Sequence, residues 1–250
     1  MAISFRTSNP VMKSGTFDGV RALTGERGMT IDGTVNKTGV LLLCVAVPAM
    51  WTWTLVRTEN APLAMLLLLA GLIGGFIMAL VTVFKKAWSP VTAPIYALFE
   101  GLVLGGISAM FETAYPGIAI QAVMLTLGTL VALLLAYRSG MIRATEGFKK
   151  GVFAATGGIA IFYFVTFVLG IFGVHFPQIY GSGPIGIAFS LFVVVIAALN
   201  LVIDFDLIET GAAQGAPKYM EWYGAFALMV TLIWLYLEML RLLSKLRSRR

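Results

Sequence analysis

The sequence is poor in the residues that carry most solution chemistry. It has one cysteine, Cys44, and one histidine, His175. One cysteine makes no disulfide within the chain, so the redox compartment is not readable from it. Cys44 lies inside an apolar run and reads as a small packing residue. His175 has no second histidine or cysteine at ligand spacing and reads as a loop residue rather than a metal ligand, which leaves a metal site unassigned. Charge is scarce too, at 12% of residues, where a soluble domain carries about 25%. Neither an HExxH helix nor a Gly-x-Ser-x-Gly turn occurs, so the chain does not read as a hydrolase. No early apolar core opens the chain, so no secretory signal peptide is expected.

What is present is apolar. Hydrophobic residues make up 59% of the chain, and the mean hydropathy is +0.90. Residues 1–37 hold five basic and three acidic residues and no apolar periodicity, and read as a polar, partly disordered tail. Seven apolar runs follow near 38–57, 62–84, 92–112, 116–137, 151–174, 184–204 and 222–243. Each has about the 20 residues a bilayer crossing requires. The expected organisation is a tail, a seven-span transmembrane domain over 38–246, and a basic end at 247–250. The small residues in "GLIGGF" (71–76) and "GLVLGG" (101–106) suit close approach of helices.

Loop charges set the expected orientation. Lys85 and Lys86, then Arg138, Arg143, Lys149 and Lys150, fall in loops on the same side as the basic tail. That places the amino terminus in the cytoplasm. The net charge of +6 then reports basic loops beside anionic lipid rather than a nucleic-acid partner. The end "RLLSKLRSRR" carries five basic residues, which runs against seven full crossings. Six spans and a re-entrant segment are the alternative.

Acidic residues inside apolar runs are costly, ~3 kcal/mol at the bilayer centre on insertion scales, and ordinarily face a partner or the protein interior. Asn200 and Asp204 in "LNLVIDFDLIE" stack at i, i+4 and form a polar stripe. Asp206 points the other way and, with Glu209, reads as a solvated rim. Glu238 has Arg241 at i+3 on its own helical face. Glu100 lies mid-span with no basic neighbour in sequence. If Asp204 and Glu238 meet, two such carboxylates share a proton. Sharing holds a closed state, and loss of the proton parts the helices or admits a cation. Hydropathy alone puts Asp204 at the end of its span, too far from Glu238 to touch unless the last helix enters the membrane late, after 222–226, or extends into the cytoplasm first.

"FEGLVLGGIS", "LNLVIDFDLIE" and "LIWLYLEMLRLL", in this order, carry a resemblance to the Bax inhibitor family, in its bacterial branch with a longer polar amino tail. The resemblance spans roughly residues 38–246. It implies an all-α, seven-transmembrane-helix bundle with a central last helix. It implies a pH-sensing acidic pair that gates a slow calcium leak, with Asp204 and Glu238 in those positions. It also implies that Glu100 pairs with a late arginine, for which Arg241 and Arg247 are imperfect matches. The chain departs from the family pattern in having Glu238 where an aspartate is usual. It departs also in a longer interval between the acids, read as an enlarged loop with a short helix around "TGAAQGAPKYMEW".

Three functions compete. The first is a pH-sensitive calcium leak channel that uses Asp204 and Glu238, with Asn200, Glu100, Arg241 and Asp206 as supporting polar or ion-path residues. The second is a proton-coupled cation exchanger. The third is a non-transporting scaffold that modulates other membrane proteins. No cofactor is expected, calcium being the permeant ion. The expected partners are the lipid bilayer, calcium and other membrane proteins, and the expected location is a bacterial inner membrane.

Overall fold

A computed structural model of the chain describes residues 28–58, 60–174 and 176–249. The disorder expected of the tail therefore falls, over residues 1–27, outside the described residues, as does the reading of His175. The described residues form α1 (Ile31–Arg57), α2 (Ala61–Phe84), α3 (Ser89–Ala114), α4 (Ile118–Arg138), α5 (Glu146–Ile171), the single turn α6 (Pro177–Tyr180), α7 (Pro184–Ala213) and α8 (Met220–Ser248). All but α6 are long and apolar enough to cross a membrane, which makes seven spans. The fold is that of an all-α, seven-span membrane protein.

Local chemistry fixes the helix ends and moves several of them from where hydropathy puts them. Thr30 caps α1 by accepting from the Gly33 N–H, so the helix starts at Ile31 and takes in residues assigned by sequence to the tail. Thr145 caps α5 in the same way through Phe148 N. The largest change is at α7, which runs on to Ala213 rather than stopping at Asp204. The stretch read as an enlarged loop with a short helix is instead the last turns of α7, a six-residue connection over 214–219, and the start of α8. Hydropathy falls at Asp204, but the backbone hydrogen bonds of a helix do not depend on side-chain polarity. Gly215 makes the reversal, with φ at +69°, a conformation costly for any residue with a Cβ. At the far end α8 reaches Ser248, so Arg247 belongs to the helix.

The chain divides into two compact units. One holds the described residues up to 119 together with 207–230. Here α3 packs on α1 through the predicted small residues. A Cβ on Gly101 would overlap the Val45 carbonyl and Pro48, and one on Gly105 would overlap the Ala49 carbonyl and Thr52. Gly71 and Gly74 of α2 meet Phe99 of α3 at similarly close quarters. Tyr96 of α3 stands edge-on to Phe226 of α8, with ring centroids 4.8 Å apart. The Glu112 carboxylate accepts from Gly117 N (2.6 Å) and Ala119 N (3.1 Å), which satisfies donors at the start of α4.

The other unit holds residues 120–206 and 231–249. Its core is Ile159 of α5 with Val193 and Ile196 of α7, flanked by Tyr163, Phe189 and Trp234. Threonines within the helices satisfy their hydroxyls on the carbonyl one turn back, as Thr38, Thr52 and Thr166 do, which removes much of the cost of a polar group in hydrocarbon.

Burial is uneven. In the most apolar window of each helix, 67% of α8 is buried, 50% of α3 and of α7, and only 17–22% of α1, α2, α4 and α5. The helix that the resemblance makes central is thus the most enclosed. The less buried helices turn large apolar side chains outward, such as Leu43 and Val47 of α1, Ile73 and Phe76 of α2, and Phe164 and Phe167 of α5. Apolar surface on this scale matches lipid, not water.

Candidate functional site

The polar stripe expected on α7 is present. Asn200 and Asp204 are both buried, Asp204 completely. Asn200 donates from Nδ2 to Thr156 Oγ1 at 2.9 Å and to the Ile196 carbonyl at 2.8 Å. Asp204 Oδ2 accepts from Thr231 Oγ1 of α8 at 2.6 Å. A short bond from a hydroxyl to a carboxylate is a strong one in a low-dielectric interior.

Glu238 of α8 is 2% exposed. Arg241 Nη1 donates to its Oε1 at 2.9 Å, the i, i+3 pair expected from sequence. The Tyr163 hydroxyl of α5 lies 3.2 and 3.3 Å from the two carboxylate oxygens, and the Trp234 indole also donates to the carboxylate. The Arg241 guanidinium stands over the Tyr163 ring at 5.5 Å. Tyr163 was not singled out in the sequence. Its signal there is weak, since an aromatic in an apolar run is common.

The two acids lie on different helices, Asp204 on α7 and Glu238 on α8, and α8 also carries the donor to Asp204. Thr231, which holds Asp204, and Glu238 are two helical turns apart on α8, ~10 Å along the axis and on nearly the same face. Asp204 reaches that face because α7 continues past it: the residue is inside a helix, not at its end. Each acid has its own donors, a threonine hydroxyl for one and a tyrosine, a tryptophan and an arginine for the other.

Asp206 is not a solvated rim residue. It is half-buried and ion-paired to Lys149 Nζ at 2.6 Å. Lys149 is buried near the start of α5, with Glu146 at 3.8 Å. The extension of α7 brings Asp206 beside α5 instead of releasing it into a loop, while Glu209 is exposed as expected. Glu100 is half-buried on α3. It is hydrogen-bonded to Tyr96 one turn earlier and lies close to Gly75, where a Cβ would be 3.2 Å from its Oε1. Arg241 forms its ion pair with Glu238, and Arg247 donates to Gln121 at 2.9 Å. Cys44 is half-buried within α1.

A further heavily bonded carboxylate lies in the stretch that reads from sequence as a loop with a short helix. Glu221, in the first turn of α8, is fully buried. Its Oε1 accepts from Thr30 N (2.9 Å), Thr30 Oγ1 (2.7 Å) and Lys218 Nζ (2.6 Å), and its Oε2 is bonded to Lys37 of α1. Lys37 also lies over the Trp222 ring, 5.6 Å from its centre. The legible signal was the i, i+3 spacing of Lys218 and Glu221. Partners from α1, some 190 positions away, leave no trace in local sequence.

Seven membrane-length apolar helices, with acidic side chains buried on two of them, define an integral, multi-pass membrane protein. The sequence pattern of the family described as Bax inhibitor 1 like matches residues 9–248, nearly the whole chain, and the chain belongs to that family. A search among curated proteins returns no match.

Proposed function

We propose that the chain forms a slow, pH-sensitive calcium leak across the bilayer, with Asp204 and Glu238 as its gate. The observation that carries this reading is the burial of both carboxylates within apolar helices, one bonded to Thr231 of α8 and the other borne by α8 two turns further on. Intramembrane ionisable groups mark ion paths more often than structural positions. Asn200 and Thr231 extend the polar stripe. Glu100, Arg241 and Asp206 act as supporting groups, and calcium is the transported ion, not a resident one. Protonation of the acids holds the closed state, so the leak rises as the proton is lost with increasing pH.

The amino terminus faces the cytoplasm of a bacterial inner membrane, because the lysines and arginines near α1 and in the α2–α3, α4–α5 and α7–α8 connections outnumber those in the intervening ones. The test is reconstitution in liposomes with a trapped calcium dye over a range of pH. The expected result is a passive leak that responds to pH in the wild type and loses that response in Asp204→Asn and Glu238→Gln. Flux that runs only against a proton gradient identifies an exchanger instead. Absence of flux in both formats leaves the non-transporting scaffold.

A further inference from the structure

The Glu221 cluster lies outside the proposed gate, and its position suggests a second role. The chain enters α1 through Gly28, Met29 and Thr30, the first two fastened to the α7–α8 connection and the third to the first turn of α8 that follows it. Gly28 forms an isolated antiparallel bridge with Pro217. Met29 N donates to the Ala216 carbonyl at 2.6 Å. Thr30 donates twice to Glu221. Lys37, two turns into α1, completes the clasp from the same helix. Ser89, at the start of α3, adds a hydrogen bond to the Tyr219 carbonyl at 3.0 Å. The connection fastened in this way joins the helices that carry Asp204 and Glu238.

The chemistry is that of a releasable fastening. A buried carboxylate held by two ammonium groups and a hydroxyl is secure when complete. It becomes costly as soon as one partner leaves, because the remaining charge is uncompensated. The contact is also exact in space: a Cβ on Gly33 would overlap the Glu221 carboxylate. An apolar contact could anchor the turn equally well and would not need a charge beside a glycine. We propose that the root of the amino-terminal segment is an autoinhibitory tether, clasped on Glu221, that holds the α7–α8 connection and thereby keeps the gate closed. The coupling to the gate rests on the function proposed above, whereas the tether itself does not.

Two readouts separate them. In a Cys44→Ser background, Ala216→Cys places a thiol at a fully buried position of the connection, and its maleimide labelling rate in liposomes reports release. Glu221→Gln and the milder Lys37→Met are expected to speed labelling about tenfold and to raise the calcium leak. A disulfide between Gly28→Cys and Pro217→Cys, which are bridge partners, is expected to suppress the leak until reduced. Labelling that stays at the wild-type rate in both clasp variants overturns the tether. Faster labelling with an unchanged leak overturns its coupling to the gate. If the wild type shows no leak at all, the calcium reading fails, and the labelling rates alone decide whether the clasp is a tether.

Discussion

Asp204 of α7 and Thr231 of α8 are joined by a 2.6 Å hydrogen bond between two buried side chains. The bond fixes the register of the two helices at the level of the first acid. It also places Glu238 two turns further along the same helix. The proposed gate is therefore a polar line on α8 rather than a single point.

Replacing Thr231 tests that register. Thr231→Val keeps the shape and removes the donor, which leaves a buried carboxylate short of a partner. The expected cost is about 1–3 kcal/mol, read as a lower midpoint of thermal unfolding in detergent. Thr231→Ser retains the hydroxyl and should melt within a degree or two of the wild type.

The second acid is tested through its own partners. Arg241 is half-exposed but Glu238 is buried, so loss of the guanidinium leaves a buried carboxylate short of its counter-charge. Arg241→Gln should therefore lower the melting midpoint, at a cost of about 1–3 kcal/mol. Tyr163→Phe removes a half-buried donor to Glu238 and should shift the pH at which the calcium leak changes. An unaltered pH profile in Tyr163→Phe would argue that Glu238 does not sense the proton.

Glycine substitutions separate packing from flexibility. Gly105→Ala would drive a methyl group into the Ala49 carbonyl and Thr52, and should destabilise the protein by about 1–3 kcal/mol, as overpacking does. Gly128 and Gly157 have open space around them. Alanine there should be neutral or stabilising, by up to about 1 kcal/mol, through helix propensity. Melting curves of the three variants side by side would decide it.

A double-mutant cycle can verify the clasp. Gly33→Ala and Glu221→Ala should each destabilise, the first by overlap and the second by taking the shared carboxylate from Lys37, Lys218 and Thr30. In combination the overlap disappears, because the added methyl group fills space that the carboxylate has vacated. The double variant should be more stable than the sum of the single effects predicts, by more than the ~0.5 kcal/mol scatter expected of independent sites.

Much of this organisation was readable from residues alone. The seven runs were visible because each had to be apolar over a bilayer's width, and the glycines of "GLVLGG" announced a close contact because small residues let helices approach. The Asn200–Asp204 stripe followed from helical geometry. What escaped was any feature that depends on where a helix stops or on what lies beside it. Asp206 read as a rim residue because a polar cluster looks like a helix end, yet α7 continues for two more turns and sets it against Lys149. Tyr163 was one aromatic among many until its hydroxyl was seen on Glu238.

The sequence by itself determined the class of protein, seven membrane-length apolar runs and the acids Asp204 and Glu238, because lipid acts on each segment separately and penalises every charge locally. The i, i+3 spacing had already paired Arg241 with Glu238, but the tertiary structure alone decided the other partners: Thr231 for Asp204, Tyr163 for Glu238, Lys149 for Asp206, and Lys37 with Thr30 for Glu221. Most of those contacts join helices far apart in the chain, and lateral packing, which no local pattern encodes, selects them.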